Sequence, residues 1–187
     1  MKPSRIEGTR IYLRPLLESD AEGEYPGWLN DPIVCAGNSH GDHFYTREAA
    51  REFIHQTHTS TDTLTLAIVM RDGDKHIGNI ALQRINVTYR SAEFSILLGA
   101  REVWGQGYGL EAARLICAHG FTNLNLHRIG CGTFAENIAM QGLARALGMR
   151  QEGLRRDAAF KNNRFTDVIE FGMLRDGGVE NGFLFMS

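Results

Sequence analysis

Cysteine is scarce in this chain: Cys35, Cys117 and Cys131 are the three among 187 residues. They are too few and too scattered for a disulfide framework, and a reducing cytoplasm is the expected home. No run of 18 apolar residues is present, so no membrane span is expected. The opening stretch, Met1 to Glu7, has no apolar h-region, so no signal peptide is expected either. Charge of one sign is also missing. The formal net charge is −2, which argues against a nucleic-acid partner recruited by bulk charge. Repeats, low-complexity tracts and linkers are absent. What remains is 43% apolar and 22% charged residues, as in an ordinary globular protein, at a length suited to one domain over residues 1–187.

Three glycines stand at alternate positions in Trp104-Gly105-Gln106-Gly107-Tyr108-Gly109-Leu110. An apolar segment, Glu93 to Leu98, precedes them and reads as a strand. Leu110, Ala113, Cys117, Gly120, Phe121 and Leu124 follow at helical spacing. A glycine loop between strand and helix lets backbone come close to a ligand, beside the unpaired N–H groups and positive dipole end of the helix. Such a cradle suits phosphate oxygens. It is not a P-loop, because Gly109 is followed by Leu110-Glu111 rather than Lys-Ser/Thr. It is not the dinucleotide fingerprint either, because the spacing is Gly-x-Gly-x-Gly, mid-chain, with no acid near position 129. A plain glycine-rich turn is the ordinary alternative.

In chain order, residues 10–16 alternate polar and apolar and predict a strand ending near Pro15. Ser19 or Asp20 is a candidate cap for a helix toward Trp28-Leu29-Asn30, ended by Asp31-Pro32. Residues 34–44 read as loop. Thr46 is placed to cap a helix to about His58, with Ala50, Phe53 and Ile54 inward. Residues 64–70 and 76–82 predict strands joined through Asp72-Gly73. After the long helix come a strand at 127–133 and a shorter helix starting at Ala135-Glu136-Asn137. Ala139, Leu143, Ala146 and Leu147 share one face of that helix, and Gly148 is its C-cap. Two strands follow around Asn162-Asn163. This order predicts an α+β fold with one mixed sheet of about seven strands and about four helices. It also predicts a right-handed parallel crossover from Phe94 to Thr133.

The Trp104–Leu110 segment resembles the acyl-CoA loop of the GNAT superfamily of N-acetyltransferases, Arg/Gln-x-x-Gly-x-Gly/Ala. Gly107 and Gly109 match its two small positions. Trp104 replaces the Arg or Gln, a departure usual in the branch that resembles the Rim-type ribosomal-protein N-terminal acetyltransferases and related amino-sugar acetyltransferases. Asn137-x-x-Met140 and Ala146-Leu147-Gly148-Met149 are similar to the family's second motif, Asn-x-x-Ser…Lys-Leu-Gly-Phe. The resemblance covers nearly the whole chain. It implies one GNAT-like domain with a mostly antiparallel sheet, acetyl-CoA as co-substrate, and a primary amine as acceptor: a protein N-terminus, an amino sugar or another small amine. A monomer or homodimer is expected, with no metal, no nucleic acid and no membrane.

Residue by residue, the resemblance implies that backbone at Trp104, Gly105, Gln106, Gly107, Tyr108, Gly109 and Leu110 holds the pyrophosphate. It implies that backbone at Leu97, Leu98 and Gly99 pairs with pantetheine, while their side chains also serve the core. An alkylamine is protonated at pH 7, so attack needs a base. Glu93 occupies the position of the family's frequent base, often acting through water. A carboxylate solvated at a strand end or paired with an arginine is the plainer reading. Asn137 matches a pantetheine contact or is simply a helix N-cap. Met140 and Ala144 replace the usual Ser and Tyr, so water or Tyr108 would have to protonate the departing thiolate. His40, His43, Tyr45 and Trp28 lie where the family builds its acceptor wall. Cys35…His40-x-x-His43 and His55-x-x-His58 have metal-ligand types, but surface or substrate-loop histidines explain them better. Two rivals stand beside the transferase: a CoA-binding module without turnover, suggested by Met140 and Ala144, and a nucleotide-binding protein using the same loop for ATP.

Overall fold

The computed structural model describes residues 5–176. Among them are eight strands and four helices. The strands are β1 (Ile6–Glu7), β2 (Ile11–Pro15), β3 (Leu64–Met70), β4 (His76–Asn86), β5 (Ser91–Leu98), β6 (Arg128–Phe134), β7 (Arg150–Lys161) and β8 (Arg164–Leu174). The helices are α1 (Tyr25–Trp28), α2 (Arg47–Thr59), α3 (Tyr108–Thr122) and α4 (Ile138–Ala146). All strands join one sheet in the order β1-β2-β3-β4-β5-β6-β8-β7. Every neighbouring pair is antiparallel except β5 and β6. The sheet exceeds the expected seven strands by β1, a two-residue strand too short to leave a periodic trace.

The expected helix from Ser19 or Asp20 to Asn30 is instead a 3₁₀ turn at Glu18–Ala21 and the single turn α1. Gly23, Pro26 and Gly27 are poor helix interior residues. Neither Ser19 nor Asp20 is the cap. The Asp20 carboxylate accepts from the Leu17 N–H at 2.8 Å and from both terminal nitrogens of Arg14 at 2.8 Å. Helix α2 starts as its sequence dictates, with the Thr46 hydroxyl accepting from the Ala49 N–H at 3.1 Å. Ala50 and Ile54 are buried, while Phe53 sits at the surface. The Asn162-Asn163 turn has both residues left-handed, at φ +51° and +60°, which matches the twist of a two-residue hairpin.

Two apolar cores lie on opposite faces of the sheet. One packs α3 onto β4, β5 and β6 through Ala112, Ala113, Ile116, Cys117 and Phe121. Gly120 lets α3 approach closely, since a Cβ there would stand 2.9 Å from Leu82 Cδ1. The other packs α1 and α2 onto Tyr12, Ala67 and Val69. The predicted inward face of α4 divides. Leu147 is buried, Leu143 is half-buried against the α3 core while also lining the cavity, and Ala139 and Ala146 are exposed in the cavity wall; Ala144, outside the predicted face, is buried as well.

Candidate active site

The parallel pairing of β5 with β6 lasts three residues, Ser91↔Arg128, Ala92↔Ile129 and Glu93↔Gly130, and then stops. Beyond Glu93, β5 stays paired with β4 only. Its other edge, from Ser95 to Leu98, opens into a cavity of about 1230 Å³ that Gly132, Thr133 and Phe134 of β6 close from the far side. That volume exceeds a usual small-ligand pocket. Backbone polar groups on an open strand edge need partners, so the split has the chemistry to pair with an extended amide-bearing ligand.

One mouth of the cavity is the glycine loop. Gly105 and Gly107 adopt φ +72° and +84°, a region costly for any residue with a Cβ, and Gly107 is the N-cap of α3. The first N–H groups of α3 have no carbonyl within the helix and point outward at its positive end. Arg10, from the β1–β2 turn, fastens the loop. Its backbone N–H and Nε donate to the Glu111 carboxylate at 2.7 and 2.9 Å, its Nη1 donates to the Gln106 carbonyl at 2.8 Å, and its guanidinium lies 4.4 Å over the Tyr108 ring. The Trp104 indole N–H donates to the Leu98 carbonyl at 2.9 Å, fixing the loop to the end of β5. Between the mouths runs the uncovered side of α4, where Ile138, Ala139, Met140, Leu143 and Ala146 line the cavity. An apolar helix face left open beside a glycine cradle fits a ligand with an anionic end and an amide-bearing arm.

The other mouth lies between the α1–α2 loop and the β7–β8 turn. Here Tyr25, Leu29, Ile33, Val34, Tyr45 and Phe53 form an apolar wall, facing His40, Lys161 and Arg164. Lys161 donates to the His40 carbonyl and, at 3.1 Å, to Asp42. Burial, helped by the Lys161 charge, pushes the His40 pKa below its ordinary value. Burial likewise pushes the Tyr25 and Tyr45 phenols up, so both stay protonated. Behind Tyr25, Asn79 Oδ1 meets His76 Nε2 at 2.9 Å, and His76 Nδ1 lies 3.3 Å from Asp20.

Of the residues expected at the site, Leu97, Leu98, Trp104, Gly105, Gly107, Tyr108, Gly109, Leu110, Asn137, His40 and Tyr45 line this cavity. Asn137 caps α4, accepting from the Met140 N–H at 3.0 Å, and donates to the Gly37 carbonyl at 2.9 Å. Five are placed elsewhere. Gly99 is buried and its N–H already serves the Ile77 carbonyl at 2.9 Å. Gln106 is outside the lining, its carbonyl taken by Arg10 and its side chain donating to the Glu102 carbonyl. Trp28 is buried, edge-on to His76 at 5.0 Å. His43 is exposed outside the lining. Glu93 stands at the apex of the split, but its carboxylate is half-exposed and lies 2.9 Å from Arg84. Ala144 is sealed in the core, so that position is closed to any proton donor. Among the described residues no three His, Cys, Asp or Glu side chains converge as a metal site would require. Arg10, Glu111, Tyr25, Lys161 and Arg164 carry no motif that marks them as site residues in the sequence. Glu111 in the first turn of α3 carried the one available hint, since acids favour that end of a helix.

The sequence matches the Acetyltransferase (GNAT) domain model over residues 10–150. It is 34% identical over 109 residues to the Uncharacterized N-acetyltransferase p20 of Bacillus licheniformis, covering 58% of this chain and 61% of that protein. It is 34% identical over 115 residues to the Spermidine N(1)-acetyltransferase of Vibrio cholerae, covering 61% of this chain and 66% of that one. In fold it is similar to RimL, a ribosomal L7/L12 alpha-N-protein acetyltransferase solved in complex with coenzyme A. The TM-score is 0.84 at 17% identity, over 92% of this chain and 99% of that one. With the split sheet, the glycine cradle and the family model in agreement, the chain belongs to the GNAT acetyltransferase family and is an N-acetyltransferase of that family.

Proposed function

We propose that this chain moves an acetyl group from acetyl-CoA directly to a primary amine. The observation that carries this reading is the split between β5 and β6, which ends at the left-handed glycine cradle of α3. The N-terminus of α3, with Gly105 and Gly107, receives the pyrophosphate. The open edge of β5 at Leu97 and Leu98 and the bare face of α4 receive the pantetheine arm, whose contacts include Asn137. A backbone N–H of that edge faces the carbonyl oxygen where charge develops.

Transfer forms a bond from the amine nitrogen to the acetyl carbon and breaks the bond to sulfur. The bonding pair leaves on sulfur, and the amine loses a proton. Glu93 takes that proton through water in this proposal, because its carboxylate lies at the apex of the split rather than in the cavity wall. Among the described residues no serine or cysteine at the cavity is set beside a base, so direct transfer is favoured over an acyl-enzyme. Thiolate is a tolerable leaving group, and water or Tyr108 protonates it in place of the family's tyrosine. The acceptor is a protein N-terminus, an amino sugar or another small amine, and the chain acts as a cytoplasmic monomer or homodimer.

A second reading, a CoA-binding module without turnover, is favoured by Met140 and Ala144. Acetyl-CoA consumption across peptides, amino sugars and polyamines separates the two. Thiol release with any amine supports transfer. CoA binding with no thiol release from any of them supports the module.

A further inference from the structure

In the acceptor mouth the carboxylates are spent on neighbouring cations, whereas those cations keep N–H groups to spare. Among the described residues lining the cavity the one acid is Glu136, and both its oxygens are engaged, one by the Thr166 hydroxyl and the other by Arg164 at 3.4 Å. The acids that flank this mouth are committed as well: Asp31 to Arg101 at 3.5 Å, Asp42 to Lys161, and Glu48 to Arg51. A ligand with several ammonium groups would therefore find aromatic rings and donors where it needs carboxylates. Leaving its charges unpaired in a partly desolvated site is costly.

The donors are arranged to complement the opposite charge. Lys161 and Arg164 are direct cross-strand partners at the base of the Asn162-Asn163 turn, and Asn162 lines the cavity beside them. Lys161 is held almost wholly out of solvent, at 8% exposure. It is tied to the α1–α2 loop by the His40 carbonyl and Asp42, with one of its three N–H groups left over. Arg164 is exposed, and its ion pair with Glu136 at 3.4 Å engages one edge of the guanidinium, leaving other N–H groups for a planar oxyanion. Opposite these cations stands the wall of Tyr25, Leu29, Val34 and Tyr45.

We propose that the acceptor is a primary amine carrying an anionic group, a carboxylate or a phosphate, which Lys161 and Arg164 receive while its body packs on the tyrosine wall. This rests on the transferase reading above and narrows its acceptor. Spermidine, the acceptor named for the Vibrio cholerae relative, is a polycation and falls outside that class.

Matched acceptors test it with the whole chain and acetyl-CoA, scoring kcat/KM by thiol release. Tyrosine and tyramine differ by one carboxylate, and glucosamine 6-phosphate and glucosamine by one phosphate. Spermidine is the fifth acceptor. Making or losing one charge-assisted hydrogen bond changes affinity on the order of tenfold to a hundredfold. The anionic member of at least one pair should therefore win by about tenfold or more, and the winning pair tells carboxylate from phosphate. Spermidine should be the poorest of the five. Arg164→Gln, at an exposed position, and Lys161→Met should each collapse the ratio within the winning pair toward one. Spermidine as the best acceptor, or neutral members equal to their anionic partners, overturns the inference and leaves the transferase reading standing. No thiol release from any of the five overturns this inference, and no release from the peptides of the wider screen either, with CoA binding intact, overturns the transferase reading with it.

Discussion

Gly99 lacks a side chain because Trp28 occupies the space. A Cβ there would stand 1.9 Å from Trp28 Cδ2, and a buried indole has nowhere to retreat. Gly99→Ala should therefore lower stability by about 3 kcal/mol, a fall in Tm of roughly 6–12 °C. The folded fraction should keep its CoA affinity, since Gly99 is not in the cavity wall. An unchanged Tm would contradict the packing described. Glu93 is a sharper case, because the same residue has two readings. If it is the base, Glu93→Gln removes basicity and preserves shape. The carboxylate is half in solvent and beside Arg84, so the expected loss in kcat at pH 7 is about 10²-fold, the low end for a general base. The loss should shrink as pH rises and the amine loses its own proton, while acetyl-CoA Kd barely moves. A kcat that is preserved assigns the proton to solvent and leaves Glu93 with its arginine.

At the scale of elements, two local devices hold the site. The first is the loop entering α3. Gly107 is left-handed and meets only Arg10 nearby, so Gly107→Asp adds both a strained Cβ and a negative charge where phosphate should sit. CoA Kd measured by calorimetry should rise more than tenfold, about 1.4 kcal/mol or more, with the circular dichroism spectrum unchanged. Unaltered affinity would move the cofactor to another part of the cavity. The second device is the 3₁₀ turn before α1, tied down by Asp20. Burial alone would raise the Asp20 pKa. Hydrogen bonds from Arg14, His76 and the Leu17 N–H outweigh it and hold the carboxylate well below its usual range. The stability it contributes is thus fully present above pH about 4, where an unfolded aspartate is ionised, and drains away as pH falls toward the folded value. Asp20→Asn should cost about 3 kcal/mol at pH 7. It should also flatten the acid limb of the stability curve below pH about 4, as read from urea midpoints. A parallel acid limb in the variant would remove Asp20 from that role.

For the molecule as a whole, the cavity joins elements far apart in sequence: the α1–α2 loop, β5, the glycine loop, α4 and the β7–β8 turn. A ligand that spans them stabilises the folded chain by mass action. At a hundred times its Kd, CoA should add about 2.7 kcal/mol and raise Tm by roughly 5–10 °C. ATP at the same concentration should do much less, because it has no arm to fill the β5–β6 split or cover α4. An equal shift with ATP would favour the nucleotide-binding reading over the transferase.

The chain by itself determined what depends on near neighbours. Alternation in residues 10–16 and the apolar runs at 64–70 and 93–98 gave strands, Thr46 gave a helix start, Asn162-Asn163 gave a hairpin, and the alternate glycines gave a loop able to hold phosphate. Each of these is a property of a few consecutive residues, set by φ preference, capping or periodicity. Whether a particular apolar side chain faces core or cavity was settled only by tertiary structure. Ala139 and Leu147 belong to one helical pattern, yet Ala139 lines the cavity opened by the split of β5 from β6 and Leu147 is buried. The acceptor mouth was decided in the same way. Lys161 meets His40 across 121 positions and Arg10 meets Glu111 across 101. Charge partners so distant carry no local signature, since the sheet order, rather than the spacing, brings them within reach.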